Sequence, residues 1–245
     1  MYDRDIAVLK KFGNRYKLTL CRSIRRKGFE IDSKHCRGVN DSKLENNLSR
    51  AKGKVFEYAM CNDWDYFVTL TINKEFYDRY DLKSYYKDLG QFLRNYNRNY
   101  KTKVDYVFIP EMHEDGAWHL HGLIKGISEN HLSKIDDLPR IPVKLKGQGY
   151  LYWEQYHKKF GFISLGAIKD KNKVAGYITK YINKNMDSSI KDLNAKTYYN
   201  SKGLNISEEI KRGTLSANSI PFEFENDYVK IQWFDDDNIA KLIIE

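Results

Sequence analysis

Ala117-Trp118-His119-Leu120-His121-Gly122-Leu123-Ile124 is the stretch that decides how the chain is read. Side chains on a β-strand alternate between faces, so His119 and His121 point one way while Trp118 and Leu120 point into a core. Glu114-Asp115-Gly116 just before it has the composition of a hairpin turn, and Val104-Asp105-Tyr106-Val107-Phe108-Ile109-Pro110 before that is a strand candidate. The pair is therefore expected to be antiparallel, with Glu111 on the strand facing the histidines. His113 shares the strand parity of Glu111, whereas Glu114 sits in the turn and is harder to aim.

Outward from this hairpin, Tyr66-Phe67-Val68-Thr69-Leu70-Thr71-Ile72 is rich in β-branched and aromatic residues and reads as a central strand. Leu82, Tyr85, Tyr86, Leu89, Phe92, Leu93 and Tyr96 recur at helical spacing, as do Leu44, Leu48, Ala51, Val55, Phe56 and Ala59 behind a cap at Asp41 or Ser42. Phe160–Ile168 reads as a further strand, and a helix beginning near Asp170 or Lys171 carries Tyr177 through Lys184. Residues 128–156 show no firm period and are expected to form a variable connection. The fold class is α+β: an antiparallel sheet with helices packed on one face.

Two imidazoles on one face form a two-point metal clamp, and Glu111 can complete a three-ligand site with positions open for water and phosphate. A nitrogen and oxygen donor set suits Mg²⁺ or Mn²⁺, and imidazole also suits Zn²⁺. Tyr177 and Tyr181, four apart on a helix, present two phenols side by side. In a chain with 19 Tyr such a pair is ordinarily packing. Here each phenol is followed one turn later by a cation, Lys180 and Lys184, able to hold a phosphate or stabilise a phenolate. Metal and paired tyrosines together point to phosphodiester transesterification with a tyrosine nucleophile.

The 245 residues carry 42 Lys+Arg against 33 Asp+Glu, a formal charge of +9 that favours a polyanionic partner. Residues 1–40 hold eleven basic and four acidic side chains, whereas residues 222–245 hold two and seven. The Arg22, Arg25, Arg26 and Lys27 cluster in the front segment is the expected DNA-phosphate contact. The organisation read from this is a basic extension over 1–41, a catalytic domain over 42–205 and an acidic tail over 206–245. Cys21, Cys36 and Cys61 are too few and too widely spaced for a disulfide framework or a zinc ribbon. With no signal peptide and no apolar run of membrane-spanning length, a cytosolic protein is expected.

Three segments, Phe67-Val68-Thr69-Leu70-Thr71, then Glu111 with Gly116-Ala117-Trp118-His119-Leu120-His121-Gly122-Leu123, then Tyr177-Ile178-Thr179-Lys180-Tyr181-Ile182-Asn183-Lys184, resemble in order and spacing the motifs of rolling-circle replication initiators. These are the HUH endonucleases, named for His-hydrophobic-His, and the likeness is to the phage-type, two-tyrosine proteins. It covers about residues 42–205, including Tyr199-Asn200-Ser201-Lys202-Gly203-Leu204. The resemblance implies an RRM-like palm of about five antiparallel strands with the histidine strand at its centre, and Mg²⁺ or Mn²⁺ held by His119, His121 and Glu111. It also implies nicking of single-stranded origin DNA, often in a hairpin, through a 5′-phosphotyrosine, with later rejoining by the second tyrosine. Lys180 and Lys184 match the family's lysine positions. No G-x-x-x-x-G-K-[ST] occurs, so unwinding and synthesis would fall to a separate helicase and polymerase. A relaxase or transposase with the same chemistry, and a non-catalytic module that stacks single-stranded bases, are the competing expectations.

Overall fold

The computed structural model describes residues 2–25, 41–184, 196–216, 220–226 and 229–244. The chain divides into two units, one of Met1–Gly38 with Asn205–Glu245 and one of Val39–Leu204.

In the first unit, β1 (Tyr2–Phe12) and β2 (Arg15–Arg25) form a hairpin. Gly13 supplies the positive φ, 61°, that its two-residue loop requires. In the second unit, α1 (Asp41–Cys61) and β3 (Tyr66–Thr71) are followed by α2 (Leu82–Tyr100), β4 (Asp105–Met112) and β5 (Trp118–Lys125). Then come β6 (Leu132–Lys134), β7 (Leu151–Trp153), α3 (Glu154–Phe160), β8 (Ile163–Ala167), α4 (Lys171–Lys184) and β9 (Tyr199–Asn200). The chain closes in the first unit with β10 (Glu208–Leu215), β11 (Phe224–Glu225), β12 (Val229–Phe234) and β13 (Ile243–Ile244).

Among the described residues the second unit holds a sheet ordered β6-β7-β8-β3-β5-β4-β9, paired antiparallel throughout. The histidine strand β5 lies between β3 and β4, as the resemblance implies. Val68, Leu70, Phe108, Leu120, Ile124, Ile163 and Leu165 come from one face and cluster with Tyr85, Leu89, Leu93 and Tyr96 of α2 and with Tyr156 and Phe160 of α3. Asp81 caps α2, its carboxylate accepting from the Ser84 N–H at 3.0 Å, and Lys101 ends it in the left-handed region at φ 50°.

The opposite face carries Phe67, Thr69, Thr71, Glu111, His119 and His121, and α4 packs there with α1 beside it. The helices thus cover both faces of the sheet rather than the single face expected. Val107, Ile109 and Leu123 share the histidine face and are fully buried, so that face also needs an apolar cover. A helical stripe reveals that a helix is amphipathic but not which side of a sheet it covers. Residues 128–156, expected as an irregular connection, contribute β6, β7 and the start of α3. Phe160 ends α3 instead of opening β8.

The first unit's sheet is ordered β11-β12-β2-β1-β10-β13, around Ala7, Leu9, Leu18, Ile239 and Ile243. The front and rear segments, read separately as an extension over 1–41 and a tail over 206–245, therefore share one sheet through the pairing of β1 with β10 and of β2 with β12. Arg22 and Arg25 lie on β2, and Arg26 and Lys27 fall outside the described residues.

Candidate active site

The site begins with cross-strand register. Thr69 faces His121 and Thr71 faces His119 on the β3–β5 side, while Glu111 faces His119 on the β4–β5 side. Each threonine hydroxyl lies against an imidazole Nδ1, Thr69 at 3.1 Å from His121 and Thr71 at 3.3 Å from His119. A hydroxyl can donate or accept, so it holds the ring in either neutral tautomer, and Nε2 is the nitrogen left for a ligand. Glu111 Oε2 is 2.6 Å from His121 Nε2, with both side chains largely buried. The His113 ring lies 3.9 Å from that of His119. Burial, joined by the fields of His113, His121 and Arg79, lowers the His119 pKa to about 4. The imidazole is therefore neutral near pH 7 and able to ligate.

The phenols come from α4. The Asp170 carboxylate accepts from the N–H groups of Asn172 and Lys173 at 3.0 and 3.1 Å, satisfying donors of the first turn. Ala175, Ile178 and Ile182 are buried and seat the helix on its unit. Tyr177 is 46% exposed and Tyr181 only 8%, yet their hydroxyls meet at 2.8 Å. The Tyr181 ring stacks on His121 with centroids 4.1 Å apart and planes 20° apart, which joins the tyrosine pair to the histidine pair. Phe67 fills the space beneath, 5.3 Å from Tyr177 and 6.1 Å from Tyr181. Burial, then the hydrogen bond from Tyr177, raises the Tyr181 pKa well above its ordinary value. Lys180 Nζ stands 6.0 Å from the centre of the Tyr177 ring.

A cleft of about 830 Å³ opens beside the tyrosines, lined by Phe67, Thr69, Tyr150, Lys173, Lys180 and both phenols among others. It is a mixed aromatic and cationic surface of the kind that takes an unpaired nucleic-acid strand.

The structure brings together Glu111, His119, His121, Tyr177, Tyr181 and Lys180. Lys184 is the last residue of α4 and its side chain lies outside the description. The Arg22 to Lys27 cluster belongs to the other unit's segment of the chain. Glu114 is exposed in the turn. Sequence reasoning gave no role to Thr69 and Thr71, which orient the rings; their signal was two threonines on a neighbouring strand at the same two-residue spacing as the histidines. Tyr150, from the connection judged irregular, carried no such signal.

In kind, two imidazole nitrogens and a carboxylate fit a divalent metal. Among the described residues no three such side chains already converge on one ion-sized point, because Glu111 and His121 hold each other.

Residues 65–186 match the family described as replication-associated protein ORF2. This span contains every residue of the His–Glu–Tyr centre and supports a replication-initiator family. No curated protein and no solved structure matches the chain.

Proposed function

With a replication-associated family as the premise, we propose that this chain is a replication initiator of the HUH type, which cuts single-stranded origin DNA and joins itself to the 5′ end through a tyrosine. The observation that carries this is the stacking of Tyr181, hydrogen-bonded to Tyr177, on a histidine of the His119/His121/Glu111 set.

Tyr177 is the first nucleophile, because its hydroxyl is on the more exposed ring. Its oxygen attacks phosphorus, the bond from phosphorus to the sugar O3′ breaks, and the departing oxygen takes up a proton as the phenol loses one. Tyr181, kept protonated by burial, donates its hydroxyl hydrogen to the Tyr177 oxygen and so favours the developing phenolate. Lys180, and Lys184 one turn further on, add positive charge beside the phosphate. One ester replaces another, so Tyr181 can repeat the exchange on regenerated origin DNA and allow the circle to close without a nucleotide triphosphate.

His119, His121 and Glu111 would hold Mg²⁺ or Mn²⁺, which when bound polarises the scissile phosphate. Ligation at His121 Nε2 would replace the hydrogen bond to Glu111, and the threonines would keep both rings aimed. Origin DNA, in a hairpin where the replicon has one, is the substrate. A separate helicase and polymerase complete the reaction.

His119→Ala tests this against a non-catalytic binding module. Covalent adduct with single-stranded DNA from the protein's own replicon should fall by more than the ~10–100-fold typical of losing a group that only orients a ligand, while DNA affinity stays near wild type. A wild-type protein that binds the DNA yet forms no adduct anywhere on the replicon would favour the binding module.

A further inference from the structure

A second cleft, of about 640 Å³, opens where β3 ends, and Thr71, Asn73, Gly161 and Phe162 contribute to its wall. The two clefts follow one another along the β3–β8 pair. The first takes Phe67 and Thr69 from β3 with Ser164 and Gly166 from β8, while the second begins at Thr71, whose neighbour across the sheet is His119. Gly161, at φ 126°, lets the chain pass this close, since a Cβ there would stand 2.7 Å from the Asn73 nitrogen.

The lining of this second cleft includes Lys74, Arg79, Arg140 and Lys158, and no carboxylate. Arg79 is paired with Asp115 at 2.7 Å. Lys74, Arg140 and Lys158 have no carboxylate partner among the described residues. His157 also lines the cleft, and its Nδ1 is buried with no hydrogen-bond partner. Such a collection of like charges repels itself and is relieved by an anion. At the rim stands Phe76, 54% exposed, a large apolar ring left in water.

We infer that this cleft is a second DNA subsite, in which Lys74, Arg140 and Lys158 hold backbone phosphates of the single strand beyond the scissile bond and Phe76 stacks a neighbouring base. The inference rests on the proposed nicking function and extends it, because it fixes where the strand runs after crossing the His–Tyr centre: past Thr71 towards Asn73, along β3. Lysine and arginine give such a subsite register without sequence, and the aromatic ring accepts any base.

The test is fluorescence anisotropy of a labelled single-stranded oligonucleotide from the replicon, titrated at several salt concentrations. A Lys74→Gln/Arg140→Gln/Lys158→Gln protein should show a slope of log affinity against log salt shallower by about 2, at about 0.7 per phosphate contact. Phe76→Ala should weaken binding about tenfold with the slope unchanged. A control protein loses equal charge from exposed positions at Lys83, Lys87 and Lys101, and its slope should stay close to wild type. Equal slope losses in the two triple variants would reduce the effect to general charge and overturn the subsite. The wild-type adduct assay separates this from the proposed function: adduct with an unchanged slope in the cleft triple variant sinks the subsite alone, and a reduced slope without any adduct sinks the nickase while the subsite stands.

Discussion

His119 and Thr69 show how single side chains set the chemistry of this site. Thr69→Val keeps the shape of the side chain but leaves His121 Nδ1 without its hydroxyl. Adduct yield at limiting Mn²⁺ should fall about 10–100-fold and recover in part at high Mn²⁺, since the lost group orients a ligand. An unchanged Mn²⁺ dependence would mean the threonine does not aim the ring. The His119 pKa of about 4 in the folded protein lies below the ordinary 6.5. The unfolded chain therefore binds more protons between those values, and the stability contributed by neutral His119 is complete above about pH 6.5 and is lost as pH falls towards 4. In metal-free protein the melting temperature should drop between about pH 7 and pH 5 by more in wild type than in His119→Gln. Parallel curves would show that burial of this imidazole carries no such linkage. The histidine pair was legible from two-residue spacing alone, whereas its tuning comes from burial and from His113 and Arg79, whose nearness depends on the turn and on the loop after β3.

At the level of single elements, α4 has to be rigid for two phenols to share one hydrogen bond above the histidines. Ile178, on the same helix between Tyr177 and Tyr181, is fully buried. Ile178→Ala should cost about 2–5 kcal/mol of stability and depress adduct formation even below the new melting temperature, because the helix loses its seat as well as its packing. A normal adduct rate in a destabilised protein would show that the phenols are positioned by something other than this anchor. Strand β5 is equally constrained. Gly122, between His121 and Leu123, lies against the Val107 carbonyl and Phe108, so any side chain there pushes β4 and Glu111 away from the histidines. These elements were readable because each buries a continuous apolar pattern of its own. α3 and β7 were not: Leu151–Trp153 and Glu154–Phe160 are too short to display a period and take their form from β8 and the core above it. The placement of α1 and α4 on the histidine face was hidden for a related reason. Which face a helix covers depends on Val107, Ile109 and Leu123, residues distant from it in sequence.

For the whole molecule, the chain makes two sheets with two cores, and charge in the sequence did not reveal this. The basic front and acidic rear look like independent tails, yet β1 pairs with β10 from the far end of the chain, with Lys10 and Lys11 opposite Glu209 and Glu208. Antiparallel partners so far apart leave no local trace beyond complementary charge. The second unit was legible as a unit because its three segments of chemistry are embedded in its strongest elements, and because residues 65–186 match a replication-associated family. No described helix is long and apolar enough to cross a membrane. The formal charge of +9 fits a polyanionic partner without naming one. The most direct test of tyrosine-mediated transesterification is a denaturing gel of purified protein with single-stranded DNA from its own replicon, in Mn²⁺ or EDTA. It would compare wild type, Tyr177→Phe, Tyr181→Phe and the double variant. A Mn²⁺-dependent protein-linked band that survives in Tyr181→Phe, drops sharply in Tyr177→Phe and vanishes in the double variant is expected. A band that persists in the double variant, or that forms equally in EDTA, would contradict it.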